Sequence, residues 1–216
     1  MVTFILVRHG STVYNQTHRF TGQLDIDLAP LGKLQAECTA QYLAEHYTVD
    51  AIYASSLKRA CDTAAPLAQR LGLTVIPERD LQETDVGDWQ DYLWDDIAAQ
   101  YPDEMAEYQQ NPISFRFPNG ESSFDVRERA MRALKRIATE HDGKTVVIYA
   151  HGGVIRTLCR AFFQKASEES CKVPPITNTS ISVIQYDLTT DRAKALQIAF
   201  TEHLKKLSEA TSGKIL

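Results

Sequence analysis

The sequence predicts an α/β fold in a single domain, on three observations. Short apolar runs of strand length alternate with longer amphipathic stretches of helical length. Two of those runs, Val2 to Val7 and Thr145 to Ala150, are followed closely by a histidine and a glycine. No Pro/Gly/Ser-rich linker or block of like charge divides the 216 residues, and 44% apolar residues suffice for a substantial core. In folds of this class sites form outside the carboxyl ends of strands, so histidines at two strand ends mark the place to look.

Val2-Thr3-Phe4-Ile5-Leu6-Val7 reads as a buried strand. Pro30 to His46 reads as a helix, with Leu31, Leu34, Cys38 and Tyr42 recurring at three- and four-residue spacing as its expected inner face. Asp50 to Ala54 is a second strand. Leu57 to Leu71 is helical and stops at Gly72, which suits a left-handed cap, and Thr74 to Pro77 gives a third strand. From Glu78 to Glu121 the pattern is less regular: Trp89, Tyr92, Trp94, Tyr101 and Tyr108 interleave with acids, and Asn111 to Gly120 is expected to be a loop. Such a segment either lies over a site or covers one edge of the core, and the sequence leaves both open. Ser122 to Ala138 reads as a long helix with Val126, Ala130, Leu134 and Ile137 on one face, leading into the strand Thr145 to Ala150 and the helix-like Val154 to Leu158. Ile181 to Tyr186 and Ala195 to Phe200 suggest a terminal pair of strands. The domain is expected to span residues 1–204, with 205–216 as a polar tail.

Composition narrows the function classes. Cys38, Cys61, Cys159 and Cys171 are scattered and make no C-x-x-C pair, so neither a zinc site nor a disulfide framework is suggested. Residues 1–7 are too short for a signal-peptide core, and no apolar stretch is long enough to span a bilayer; the expected location is cytoplasmic, with no membrane partner. A net charge of −5 and the lack of a basic run opposes nucleic-acid binding, yet a local cleft of arginines and histidines can still focus a positive field on a small anion. A homodimer is compatible with all of this.

Arg8-His9-Gly10 has the parts to attack a phosphate: an imidazole nucleophile, a guanidinium fork and a backbone able to approach closely. Tyr149-Ala150-His151-Gly152-Gly153 repeats the arrangement at a second strand end. His-Gly-Gly is also similar to the oxyanion loop of esterases, but that chemistry needs a G-x-S-x-G elbow, and the nearest stretch, Gly120-Glu121-Ser122-Ser123-Phe124, lacks the last glycine.

Taken in order, Leu6-Val7-Arg8-His9-Gly10-Ser11-Thr12, then Asn15, Arg19, Gly22 and Asp25, Tyr53-Ala54-Ser55-Ser56-Leu57-Lys58-Arg59-Ala60, Leu81-Gln82-Glu83 with Gly87 and Trp89, Gly120-Glu121-Ser122, and Ala150-His151-Gly152-Gly153 resemble the histidine phosphatase superfamily, the phosphoglycerate-mutase-like group, over nearly the whole chain. The resemblance implies a three-layer sandwich with a mostly parallel central sheet flanked by helices. It implies that His9 is the nucleophile, forming a phosphohistidine that water hydrolyses, and that Arg8, Arg59 and His151 hold the phosphoryl oxygens. It implies that Glu83 is the general acid and base, and that Asn15, Thr21, Gly22, Gln23 and Gly152 contact the phosphate or substrate. No cofactor and no metal ligand set is implied.

Within that group, mutases return the phosphoryl group to substrate and phosphatases release it to water. Cofactor-dependent mutases continue the acid as Glu-Arg-His-Tyr-Gly, whereas this chain reads Glu83-Thr84-Asp85-Val86-Gly87. The departure favours a phosphomonoesterase acting on a small phosphorylated metabolite, with a phosphoglycerate mutase or a catalytically silent phosphate-binding member as the alternatives. Arg116 is left open between a substrate contact and a surface role.

Overall fold

The structure, a computed structural model, describes residues 1–164, 173–205 and 207. Its elements in chain order are β1 (Val2–Arg8), α1 (Val13–Gln16), α2 (Pro30–His46), β2 (Ala51–Ser55), α3 (Lys58–Leu71), β3 (Val75–Glu78), α4 (Trp94–Gln100), α5 (Pro102–Gln110), α6 (Ser123–Glu140), β4 (Thr145–Ala150), α7 (Gly152–Gln164), β5 (Ile181–Asp187) and β6 (Arg192–Phe200). The six strands form one sheet in the order β3-β2-β4-β1-β5-β6. Strands β3, β2, β4 and β1 are parallel, while β5 and β6 return antiparallel on the β1 side. After β1 the chain places β2 one strand away and β4 later fills the gap, so β1 and β4 become neighbours with Arg8 opposite Ala150. That register sets His9 and His151 side by side just beyond the sheet.

Alternation along each strand divides the core between two faces. Phe4, Leu6, Val146 and Ile148 pack against Val126, Ala130, Leu134 and Ile137 of α6 and against Val154 and Leu158 of α7. Ile5, Val7, Ile52 and Val147 pack on the opposite face against Ala40 and Leu43 of α2 and Ala60, Ala64 and Leu67 of α3. The result is the expected three-layer α/β sandwich. Helix α3 ends at Gly72 in a left-handed conformation, φ +66°, as its sequence predicts.

The face of α2 differs from expectation. Gly32, Ala36, Thr39, Ala40 and Leu43 are its buried residues, whereas Leu34 is 51% exposed. Small residues win that face because the helix runs close to the loop after β1, and bulk there would push it off. The middle segment holds two short helices, α4 and α5, which periodicity did not reveal: each spans only about two turns, and Pro102 both ends the first and opens the second. Both readings of its aromatics hold in part. Trp89, Ile97, Met105, Phe115 and Phe117 form a core of their own with Phe20, separate from the two sheet faces, and this small core carries one wall of the cleft described below. Among the described residues no helix is long and apolar enough to cross a membrane, and no group of three or more His, Cys, Asp or Glu forms a metal-ligating cluster. Cys38 and Cys61 carry thiols outside any disulfide, and the expectations for Cys171 and for most of the tail fall outside the described residues.

Candidate active site

Three neighbouring parallel strands deliver the centre of the site from their carboxyl ends: β1 leads to His9, β4 to His151, and β2 ends at Ser55. The two imidazoles lie with ring centroids 5.1 Å apart. His9 is 3% exposed, and its Nδ1 stands 2.7 Å from the Gly10 carbonyl oxygen, so Nδ1–H donates there and Nε2 keeps its lone pair. Burial, reinforced by the charges of Arg59 and Arg8, holds the His9 pKa well below its ordinary value, which keeps the ring neutral. At Gly10 a Cβ would lie 2.5 Å from the Gly32 carbonyl oxygen, so only glycine lets the N-terminus of α2 close against the loop after β1.

His151 is fully buried and its Nε2 lies 2.8 Å from the Ser55 hydroxyl. With that hydroxyl donating to Nε2, Nδ1 carries the proton. His151 Nδ1, Arg8 Nε and Arg59 Nε are all buried without a hydrogen-bond partner, three orphaned nitrogens on three residues expected to hold a phosphate. The His151 pKa is also lowered, by burial first and then by Arg59, His9 and Arg8. Arg59, 1% exposed at the start of α3, donates from Nη1 to the Leu24 carbonyl at 2.7 Å and from Nη2 to the Gly22 carbonyl at 2.9 Å. Arg8 donates from Nη1 to the Ile176 carbonyl at 2.7 Å. These bonds use a minority of each guanidinium's five donors and fix the forks for an anion. Burial lowers the pKa of both arginines.

Glu83 sits over the N-terminus of α7, its Oε2 accepting the Gly153 N–H at 3.2 Å and its Oε1 the Thr84 N–H at 2.8 Å. What holds it there is Arg129, which the sequence reading did not single out. Arg129 grips the Glu121 carboxylate with two donors at 2.8 Å each and donates to the carbonyls of Asp80, Gln82 and Glu83. Glu121 in turn accepts the Asp85 N–H at 2.9 Å. Sequence proximity could not find this clamp, since it joins α6 to a loop 46 residues earlier.

The cleft in front of these groups measures about 450 Å³ and is lined by His9, Arg8, Arg59, Glu83, Asn15, Thr21 and Gly22 among others. Asn15 caps α1 and meets Asn178, whose Nδ2 donates to the His9 carbonyl at 2.9 Å; Asn178 is a second cleft residue that the sequence did not flag. Two of the expected substrate contacts, Gln23 and Gly152, and the expected phosphate ligand His151 are not among the residues that line the cleft. Gln23 is outside the lining, its Nε2 donating to the Glu83 carbonyl at 3.0 Å, and Gly152 packs behind the Arg8 guanidinium. Arg116 pairs with Asp125 at 2.7 Å, its side chain exposed, and is likewise absent from the lining.

Fold and cleft together define an α/β protein with an arginine-lined cleft beside paired histidines at the ends of adjacent parallel strands. The chain belongs to the histidine phosphatase superfamily, branch 1, whose sequence profile matches residues 4–199. It is 34% identical over 183 residues to phosphoglycerate mutase-like protein 4 of Arabidopsis thaliana, covering 84% of this chain and 78% of the relative. It is 35% identical over 182 residues to a metal-independent phosphoserine phosphatase of the same plant, covering 83% and 74%. Among solved structures, a mycobacterial glucosyl-3-phosphoglycerate phosphatase complexed with VO3 superposes with a TM-score of 0.82 at 30% identity, covering 92% of this chain and 99% of that one.

Proposed function

We propose that the protein is a metal-independent phosphomonoesterase that hydrolyses a small phosphorylated metabolite through a phosphohistidine on His9. The observation that carries this reading is the neutral, buried His9 with Nδ1 committed to the Gly10 carbonyl and Nε2 free, beside the His151 ring and in one cleft with Arg8 and Arg59, three residues that each keep a buried, unpartnered nitrogen. Relatives named as phosphoserine and glucosyl-3-phosphoglycerate phosphatases support the substrate class.

In the first step His9 Nε2 attacks phosphorus, the P–O ester bond breaks, and protonated Glu83 gives its proton to the leaving alkoxide. In the second, Glu83 takes a proton from water, the water oxygen attacks phosphorus, the N–P bond breaks and inorganic phosphate leaves. Arg8, Arg59 and His151 hold the equatorial oxygens throughout, where charge spreads in a loose transition state.

Glu83→Gln tests this division of labour. It keeps the side-chain shape but transfers no proton, so kcat/KM, which reports the phosphorylation step and not the later hydrolysis common to all substrates, is expected to fall by roughly 10²–10⁴-fold for alkyl phosphates and much less for p-nitrophenyl phosphate, whose phenolate leaves unaided. Equal slowing of both would remove Glu83 from the acid role. In the same assay inorganic phosphate is expected to accumulate, in EDTA as in buffer. Rapid isomerisation of 3-phosphoglycerate to 2-phosphoglycerate, primed by 2,3-bisphosphoglycerate and releasing little phosphate, would favour the mutase reading instead.

A further inference from the structure

Helix α7 begins at the catalytic centre and runs along the cleft. Gly153, Arg156, Thr157 and Arg160 all line the cleft, and their i, i+3, i+4, i+7 spacing makes a single stripe on the helix. At 1.5 Å per residue, Arg156 and Arg160 stand about 5 and 10 Å up the axis from the Gly153 amide that meets Glu83. The segment after Glu83 carries no basic residue before Gly87, and the cleft instead takes two arginines from this helix.

The charges in the cleft do not balance around a single phosphate. Among the described residues, Arg8, Arg19, Arg59, Arg156 and Arg160 line it against one carboxylate, Glu83. Arg19 is neutralised by Asp91. Arg8 and Arg59 match one phosphate dianion. Arg156 and Arg160 have no hydrogen bond or ion pair among the described residues, in contrast to Arg129, Arg132 and Arg136 of α6, each of which meets a carboxylate. The Arg156 charge is felt at Arg8 and at Tyr108 across the cleft, which places it between the catalytic centre and the aromatic wall. Arg160 is partly buried beside it, so two like charges share one stripe with no ion-pair partner among the described residues.

We propose that Arg156 and Arg160 form a subsite for a second anionic group of the substrate, a carboxylate or a further phosphoryl group a few bonds from the ester that is cleaved. The subsite deepens the phosphomonoesterase reading and rests on it for the position of the first phosphate. A guanidinium pair one turn apart matches either anion, through two forked, charge-assisted contacts.

Matched substrate pairs test it. O-phosphoserine and O-phosphoethanolamine differ only in the carboxylate; propane-1,3-diol bisphosphate and propyl phosphate differ only in the second phosphate. The protein is expected to favour the more anionic member of at least one pair by roughly tenfold or more in kcat/KM, and the pair that shows the preference identifies the anion. Arg156→Gln with Arg160→Gln is expected to erase that preference, mainly through KM, while the double lysine variant keeps part of it. Trp94 lines the cleft, so the same four compounds are also titrated against tryptophan fluorescence, with the fold of each variant checked by circular dichroism. Selective binding that disappears in the double glutamine variant, without turnover of any ester, would support the subsite and overturn only the hydrolytic reading. Lack of preference in both pairs, or a preference that survives the double glutamine variant, would overturn the subsite.

Discussion

His9→Ala is expected to lower kcat by roughly 10⁴-fold or more while leaving the protein folded. The loss is large because the substitution removes the only proposed route to a covalent intermediate, and water attacking directly has neither the position nor the nucleophilicity of Nε2. The fold survives because the His9 imidazole makes a single hydrogen bond, to the carbonyl of its own neighbour, and lies tilted beside His151 rather than filling either main core. Thermal unfolding should shift by only a few degrees, consistent with about 1–3 kcal/mol for an unmet buried carbonyl. A His9→Ala protein that is purified free of other phosphatases and retains a tenth of wild-type turnover would sink the mechanism.

Arg59→Lys carries the second largest expected effect, and it acts on both activity and stability. The guanidinium bridges the carbonyls of Gly22 and Leu24 while keeping Nε and further N–H groups for the phosphate. An ammonium is a point charge with three donors and cannot reproduce that planar span. The expected loss in kcat/KM is about 10²–10³-fold, comparable to removing one preorganised oxyanion donor. Stability should fall by about 1–3 kcal/mol as one buried carbonyl loses its partner. Parallel measurement of kinetics and thermal melting checks both, and a lysine variant with near-normal kcat/KM would show that Arg59 serves the loop rather than the phosphate.

The parts of the site that were legible in the sequence are those written into contiguous residues. His9 and His151 adjoin apolar runs whose strand character is unmistakable, so the chemistry could be placed at strand ends before any contact was known. Arg59 and Glu83 were reachable through the blocks around them. What stayed hidden depends on tertiary approach. The Arg129 clamp on Glu83, the Asn178 contact behind His9 and the arginine stripe of α7 have no local signature, because a charged residue on an amphipathic helix looks the same whether it faces solvent or a cleft. The inner face of α2 was hidden for a different reason: Gly32, Ala36 and Ala40 are chosen for close approach, while periodicity weighs bulk and pointed to Leu34. Gln23 carries a second hidden contact: its place in the loop after His9 suggested a substrate contact, while its side chain donates to the Glu83 carbonyl, a pairing that no local pattern announces.

The central claim is that the phosphoryl group passes through His9. Mixing the wild-type protein with a rapidly hydrolysed monoester, quenching within the first turnover under alkaline conditions, and mapping phosphopeptides by mass spectrometry tests it most directly. The account predicts one phosphoryl group per chain on His9, stable to base, labile to acid, formed no slower than alcohol is released, and more abundant when Glu83→Gln slows the hydrolytic step. Phosphate on any other residue, or steady turnover with no phosphoenzyme at any quench time in that variant, would contradict it.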